Sequence, residues 1–191
     1  MDISPKTTLG VLLLVLTAIL FFAGCTQPSP VTQTTPAPTA TTAAPTLTPT
    51  ANSNETMKAE IAAFAGTFAS ETDGSTLLAA FNEGPNSTAF AELLGQLKAF
   101  KESDPRIKYV YTLEQRDGTV RFIVDANYGM PDGSGYLEVY DDAPVELKTP
   151  VTAPIGAGPY TDKWGTFYSG YAPVDAGSNA TVILIGVDVV A

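Results

Sequence analysis

Asp188 is the residue whose chemistry most needs explaining, because it is a carboxylate inside an otherwise apolar run, Ala-Thr-Val-Ile-Leu-Ile-Gly-Val-Asp-Val-Val at 180–190. Burying such a group alone costs several kcal/mol, so it must lie near a strand end, meet a cation or be hydrogen-bonded. Arg121 and Lys108 are the candidate cations; the competing reading is a solvated or backbone-bonded carboxylate at a frayed terminus. Just upstream, 160–174 carries the only Trp of the chain, Trp164, and a group of tyrosines. Residues 160–190 therefore combine the densest apolar segment outside the N-terminus with the best recognition chemistry.

What these residues could catalyse is limited by what is missing. The chain of 191 residues has no histidine, which removes Ser-His-Asp and Cys-His nucleophile systems, His-ligated zinc hydrolases and the commonest general base near neutral pH. A pair of carboxylates working as in a glycosidase is formally open, but nothing in the spacing separates two of them from solvated charges. No enzymatic activity, cofactor or metal is expected. With 10 Lys and Arg against 20 Asp and Glu, the net charge is -10, and an acidic chain without a basic cluster is a poor partner for nucleic acid.

The elements that must deliver and position these residues begin with residues 1–25, which read as a secretory signal: Lys6, then an apolar run from Leu9 to Ala23. That run is short for a span of roughly 20 apolar residues. It ends in Ala23-Gly24-Cys25, similar to the small-small-Cys lipobox of prokaryotic lipoproteins, with Phe22 where Leu is more usual. Cys25, the only cysteine, is the expected lipidation site; the alternative is an incidental cysteine at the end of an uncleaved anchor. Either way the rest of the chain is expected at the cell surface or in the periplasm, held to the outer face of the cytoplasmic membrane, without an internal disulfide.

Residues 26–53 are nearly all Thr, Pro, Ala, Gln and Ser, too polar to offset the entropy of ordering, and read as a tether. Its prolines favour an extended form reaching on the order of 80 Å. Sequons at Asn54, Asn86 and Asn179 permit N-glycosylation in a host that performs it.

The folded domain is expected over 54–191. Met57, Ile61, Phe64 and Phe68 form a helical stripe, predicting a helix over 55–70 with Asn54 as N-cap. Ser75 is expected to cap a short second helix ended by Gly84-Pro85, and a third spans 87–101, stopped by Asp104-Pro105.

From Ile107 the apolar period changes to two. Asp117-Gly118 reads as a two-residue hairpin turn, and it pairs Arg116 with Thr119, Glu114 with Arg121, Leu113 with Phe122 and Tyr111 with Val124. The same register sets Asp125 opposite Val110, on the face of Lys108, Thr112, Arg121 and Ile123. Residues 135–140 read as a short strand, 141–158 as a long irregular connection, and 166–174 with 180–190 as the last hairpin. The last strand is apolar enough to be central and buried on both faces. Gly170 and Gly186 inside these strands mark bulges or a close approach of backbone or ligand.

The run at 104–113, the segment Phe122-Ile-Val-Asp-Ala, the stretch Asp162-Lys-Trp-Gly-Thr-Phe-Tyr-Ser-Gly-Tyr-Ala-Pro-Val and Ile185-Gly-Val-Asp-Val together resemble extracytoplasmic PAS-like (Cache-type) sensor domains. The resemblance implies an α+β fold, with an antiparallel sheet of about five strands, N-terminal helices on one face and a small-ligand pocket on the other, roofed by the long connection. Carried over by position, the pocket residues are Tyr111, Asp125, Tyr140, Trp164, Ser169, Tyr171 and Asp188; for Tyr111 and Trp164 a plain core role stands beside this one. The family's receptors continue into a membrane helix and an output module, whereas this chain stops at Ala191. The expectation is a tethered, non-catalytic binding lipoprotein that holds an unidentified small molecule and works through a membrane receptor or transporter. The alternative is a structural or protein-interaction module of the cell envelope.

Overall fold

Amphipathic helices come first, then strands of alternating polarity. In the computed structural model, which describes residues 50–177 and 181–191 with side chains from Ser53 onward, the order is α1 (Thr50–Glu71), α2 (Gly74–Glu83), α3 (Thr88–Glu102), β1 (Ile107–Arg116), β2 (Thr119–Asp125), β3 (Ile155–Asp162), β4 (Gly165–Pro173) and β5 (Val182–Val190). The signal segment with Cys25, the tether up to residue 49 and the sequon asparagine Asn179 lie outside the described residues. Among the described residues, no helix is long and apolar enough to cross a membrane.

The fold is α+β: one antiparallel sheet of order β2-β1-β5-β4-β3, with the helices packed on one face. β5 is the middle strand and is buried on both sides, as its composition predicts. Ile183, Ile185, Val187 and Val189 meet the helices, while Val182 and Leu184 face the opposite side.

The helix starts depart from expectation in an instructive way. α1 begins at Thr50, so the end of the expected tether is helical. Asn54 lies inside the helix, where its Oδ1 accepts a hydrogen bond from the Tyr168 hydroxyl at 2.6 Å. α2 is capped by Asp73 rather than Ser75: Asp73 Oδ1 accepts from the Thr76 N–H at 2.7 Å and from the Ser75 hydroxyl at 2.6 Å. α3 starts as predicted, with the Ser87 hydroxyl accepting from the Phe90 N–H at 3.1 Å. Phe68 of α1 and Phe100 of α3 stack with centroids 4.3 Å apart, joining the two helices over the sheet.

The expected short strand at 135–140 is replaced by β3. That segment forms an isolated bridge, Arg121 with Val139, and backbone hydrogen bonds from Leu137, Phe122 and Tyr140 run between it and β2 without making a strand. The edge strand is instead 155–162, inside and beyond the expected irregular connection. Its Gly156, Gly158 and Pro159 hide the alternation, and Pro is admissible because β3 is an edge strand.

Glycines let α1 lie on this part of the sheet. Gly156 and Gly170 are partners across β3 and β4. A Cβ on Gly156 would stand 2.2 Å from the Lys58 carbonyl oxygen, and one on Gly170 would stand 2.0 Å from that of Ile61. The close approach expected at Gly170 is thus to the backbone of α1. Gly170→Ala should cost roughly 3 kcal/mol or more in denaturant unfolding, because the clash is with backbone that cannot swing aside. Gly95→Ala, inside α3 with nothing within 4 Å of the added methyl, should instead stabilise by up to about 1 kcal/mol.

Candidate functional site

On the face away from the helices, the β1–β2 hairpin sets the geometry. Asp117 and Gly118 have φ of 51° and 75°, the positive values a two-residue type I′ turn requires. The pairs Arg116–Thr119, Glu114–Arg121 and Leu113–Phe122 form as predicted, but Tyr111 then pairs with Asp125, not Val124. A β-bulge absorbs the extra residue on β2. Thr112 holds it, its hydroxyl accepting from the Val124 N–H at 3.1 Å and donating to the Val124 carbonyl at 3.3 Å. The one-residue shift turns Asp125 off the helix face and onto the face of Tyr111.

Asp188 is on that face too, and the cations proposed for it are engaged elsewhere. Arg121 bonds Glu114 at 3.4 Å, and Lys108 lies 3.9 Å from Asp132 and over the Tyr109 ring. Nor is Asp188 a solvated residue at a frayed end: it is 3% exposed, and it pairs with Ser169 on β4 and Tyr109 on β1. Its Oδ1 accepts from the Ser169 hydroxyl at 2.6 Å and the Tyr111 hydroxyl at 2.9 Å.

Tyr111 reaches it because its cross-strand partner is Gly186; a Cβ there would meet the tyrosine ring at 2.2 Å. The close approach expected at Gly186 is to this ring.

The hydroxyls continue outward. Tyr160 lies 2.8 Å from the Ser169 hydroxyl, 2.9 Å from that of Tyr171 and 3.1 Å from that of Tyr140. Tyr140 donates to Asp162 Oδ2 at 2.6 Å. The other oxygen of Asp162 accepts from the backbone N–H groups of Trp164 and Gly165 at 2.8 and 3.2 Å, shaping the turn that presents Trp164.

Above Asp188 is a cleft lined by Tyr109, Tyr111, Phe122, Asp125, Tyr140 and Trp164, with Asp132. Its cavity is about 10 Å³, room for one water. Of the seven residues expected here, Tyr111, Asp125, Tyr140, Trp164 and Asp188 line it. Ser169 and Tyr171, both with no exposed surface, lie beneath and act through the hydroxyls. Asp125 lines the cleft but also holds the loop: it accepts from the Asn127 and Ser134 N–H groups, each at 2.7 Å, and from the Ser134 hydroxyl at 3.0 Å.

Tyr160 and Asp162 were not among the expected site residues, because β3 was hidden; with its register known, their alternation on one strand brings both to this face. Gln115 is a further unforeseen contributor: its amide donates to the Leu147 and Thr149 carbonyls, each at 2.6 Å, and accepts from the Val151 N–H at 3.0 Å. This clamp lays the long connection onto the sheet, so that Leu147 and Val151 pack into the second core rather than roofing an open pocket.

Burial pushes the Asp188 carboxyl up to about 7, against the opposing effect of the hydrogen bonds from Ser169 and Tyr111. Burial also raises Asp125, and it raises Tyr111, Tyr140, Tyr160 and Tyr171 far enough to keep all four neutral. The site thus combines neutral hydroxyls with carboxylates and an aromatic wall, chemistry suited to holding a small polar or cationic group. Among the described residues, no three His, Cys, Asp or Glu gather as a metal site.

Fold and site together define a class, an α+β domain whose middle strand buries a hydroxyl-bound carboxylate under an aromatic cleft. Comparisons of the chain with protein-family models, curated proteins and solved structures gave no match.

The raised carboxyl fixes the sign of a pH effect. A folded value near 7 against an ordinary 3.8 means that the folded state binds more protons between these limits. The stabilisation is full below pH 4 and is lost as pH rises through 7. Relative to Asp188→Asn, which cannot titrate, the protein should lose on the order of 3 kcal/mol of unfolding free energy from pH 4 to 8. Urea unfolding of both proteins across that range measures the difference, to which Asp73, Asp104 and Glu138, whose values are lowered, contribute equally in each.

Proposed function

We propose that the chain is a non-catalytic extracytoplasmic binding module of the PAS-like, Cache-type kind, tethered to the outer face of the membrane through Cys25. In this reading it holds a small polar or cationic molecule against Asp188 and acts through a membrane receptor or transporter. The observation that carries it is the placement of Asp188: a buried carboxylate without a countercharge, at the floor of a cleft walled by Tyr109, Phe122, Tyr140 and Trp164. The residues that carry the family resemblance supply both Asp188 and Trp164, and a chain without histidine suits binding better than catalysis.

One observation favours the second reading, a structural or protein-interaction module of the envelope. The cavity has room for about one water, so anything larger enters only if the Trp164 turn or the loop at 126–138 moves.

A thermal-shift screen of amines, amino acids and carboxylates on the full-length chain separates the two. The binding reading expects one class, amines first, to raise the melting temperature by a few degrees, with the shift abolished in Asp188→Asn and reduced in Trp164→Ala. Stabilisation by none of them moves the assignment to the interaction module. Intact-mass measurement of the membrane fraction, with Cys25→Ser as control, tests the anchor: an unmodified cysteine removes the lipoprotein part of the reading.

A further inference from the structure

The hydroxyl network admits a count of its protons. Six short contacts join its members: Asp188 with Tyr111 and with Ser169, Ser169 with Tyr160, Tyr160 with Tyr171 and with Tyr140, and Tyr140 with Asp162, all between 2.6 and 3.1 Å. A hydrogen bond needs one proton per contact. The five hydroxyls, Tyr111, Ser169, Tyr160, Tyr171 and Tyr140, supply five.

With both carboxylates ionised, each end draws hydroxyl protons toward itself. Ser169 and Tyr111 donate to Asp188, and Tyr140 donates to Asp162. Tyr160 must then donate to Ser169 and to Tyr140 with a single proton. One of these contacts is left as two oxygens facing each other without a hydrogen.

A sixth proton removes the conflict. Placed on Asp188 Oδ1, it is donated to Ser169, Ser169 donates to Tyr160, Tyr160 to Tyr140, and Tyr140 to Asp162. Tyr171 donates to Tyr160, and Tyr111 to Asp188. Every short contact is satisfied, and only the Tyr111–Tyr171 approach, at 3.4 Å, lacks a proton.

We propose that Asp188 is a proton-binding switch: taking up one proton from solvent forms an O–H bond on its carboxylate and turns the Ser169–Tyr160–Tyr140 chain into one directed run of hydrogen bonds ending at Asp162. Asp162 is the fixed end of the run, because two backbone N–H groups already bind its other oxygen. The groups facing Asp188 are Tyr109 and Tyr111 from β1, Asp125 from the end of β2, Tyr160 and Asp162 from β3, Ser169 and Tyr171 from β4, and Tyr140 and Asp132 from the connections. None is a cation. Burial and the neighbouring carboxyl groups therefore oppose ionisation, against only the hydrogen bonds from Ser169 and Tyr111, consistent with a carboxyl raised to about 7. Deprotonation breaks a contact of Tyr160 and so loosens the tie between β4, β3 and Tyr140, beside the cleft. This switch does not depend on whether a small molecule binds.

The carboxyl ¹³C resonance of Asp188 in the full-length chain, assigned by its loss in Asp188→Asn, reports the titration. Counting predicts opposite responses from neighbouring tyrosines. Tyr160→Phe leaves four hydroxyl protons for three short contacts, and Tyr140→Phe leaves four for four, so neither variant is short. In both, the midpoint should fall by about one pH unit, a tenfold loss of proton affinity.

Tyr171→Phe leaves four protons for five contacts, still one short, so its midpoint should stay near the wild-type value. Tyr111→Phe also stays one short and removes a donor from the anion, so its midpoint should rise. Burial alone predicts no fall in any of the four. A wild-type midpoint near 4, or an unchanged or raised midpoint in Tyr160→Phe or Tyr140→Phe, overturns the proposal. The two variants are independent, so either one that folds decides it.

Discussion

A carboxylate on the middle strand with no cation beside it is the constraint around which the second face of the sheet is arranged. An ionised group in that position must be compensated by hydrogen bonds or take a proton. The structure brings hydroxyls to it from both neighbouring strands. Ser169 sits directly across on β4 and is small enough to bond Asp188 at 2.6 Å without displacing a neighbour. From β1, Tyr111 reaches Asp188 over the gap left by Gly186.

The helix face serves the same end by another route. Side chains alternate along β4, so Ser169 and Tyr171 point to the network while Gly170 between them points to α1. The backbone of α1 rests on Gly170 and Gly156, which leaves these strands little freedom to shift in or out of the sheet. A network whose bonds vary between 2.6 and 3.1 Å tolerates small displacements poorly. Close packing on one face thereby supports hydrogen-bond geometry on the other, through the same three residues of β4.

The architecture could be read from apolar spacing because each helix and most strands carry an unbroken period. Three helices, the first hairpin and a fully buried last strand follow from such runs. What was hidden has physical causes. β3 is masked by glycines and a proline that pack against α1 or sit at an edge, so its pattern resembles a loop. The bulge at Thr112 depends on one hydroxyl satisfying a backbone N–H and carbonyl, which no spacing rule announces, and it reverses the face of every residue after it on β2. Asp125 therefore came to the cleft by a local irregularity that regular alternation contradicts. The site residues drawn from the family resemblance cluster around Asp188, but their division into cleft wall and buried support emerges only from side-chain packing.

That division also says which part of the site can move. The floor is held by buried bonds to Asp188, whose loss leaves polar groups without water or a protein partner, at about 1 to 3 kcal/mol each. The mouth is held differently. Lys163 bridges Glu138 at 2.5 Å and lies 4.1 Å from the Trp164 ring, but the ion pair is half-exposed, with side chains 49% and 37% accessible. Such pairs contribute about 0 to 1 kcal/mol, because water replaces each partner as the other leaves. The Lys163 side chain that closes the rim beside Trp164 is thus cheaper to displace than the floor, whereas the backbone of the turn is held by carboxylates, Asp162 on the Trp164 and Gly165 N–H groups and Asp142 on that of Lys163. The cleft has room for about one water, and a larger molecule needs the Trp164 turn or the loop at 126–138 to move. Because Asp162 both shapes that turn and accepts from Tyr140, moving the turn also disturbs the outer end of the hydroxyl network while the bonds to Asp188 stay in place.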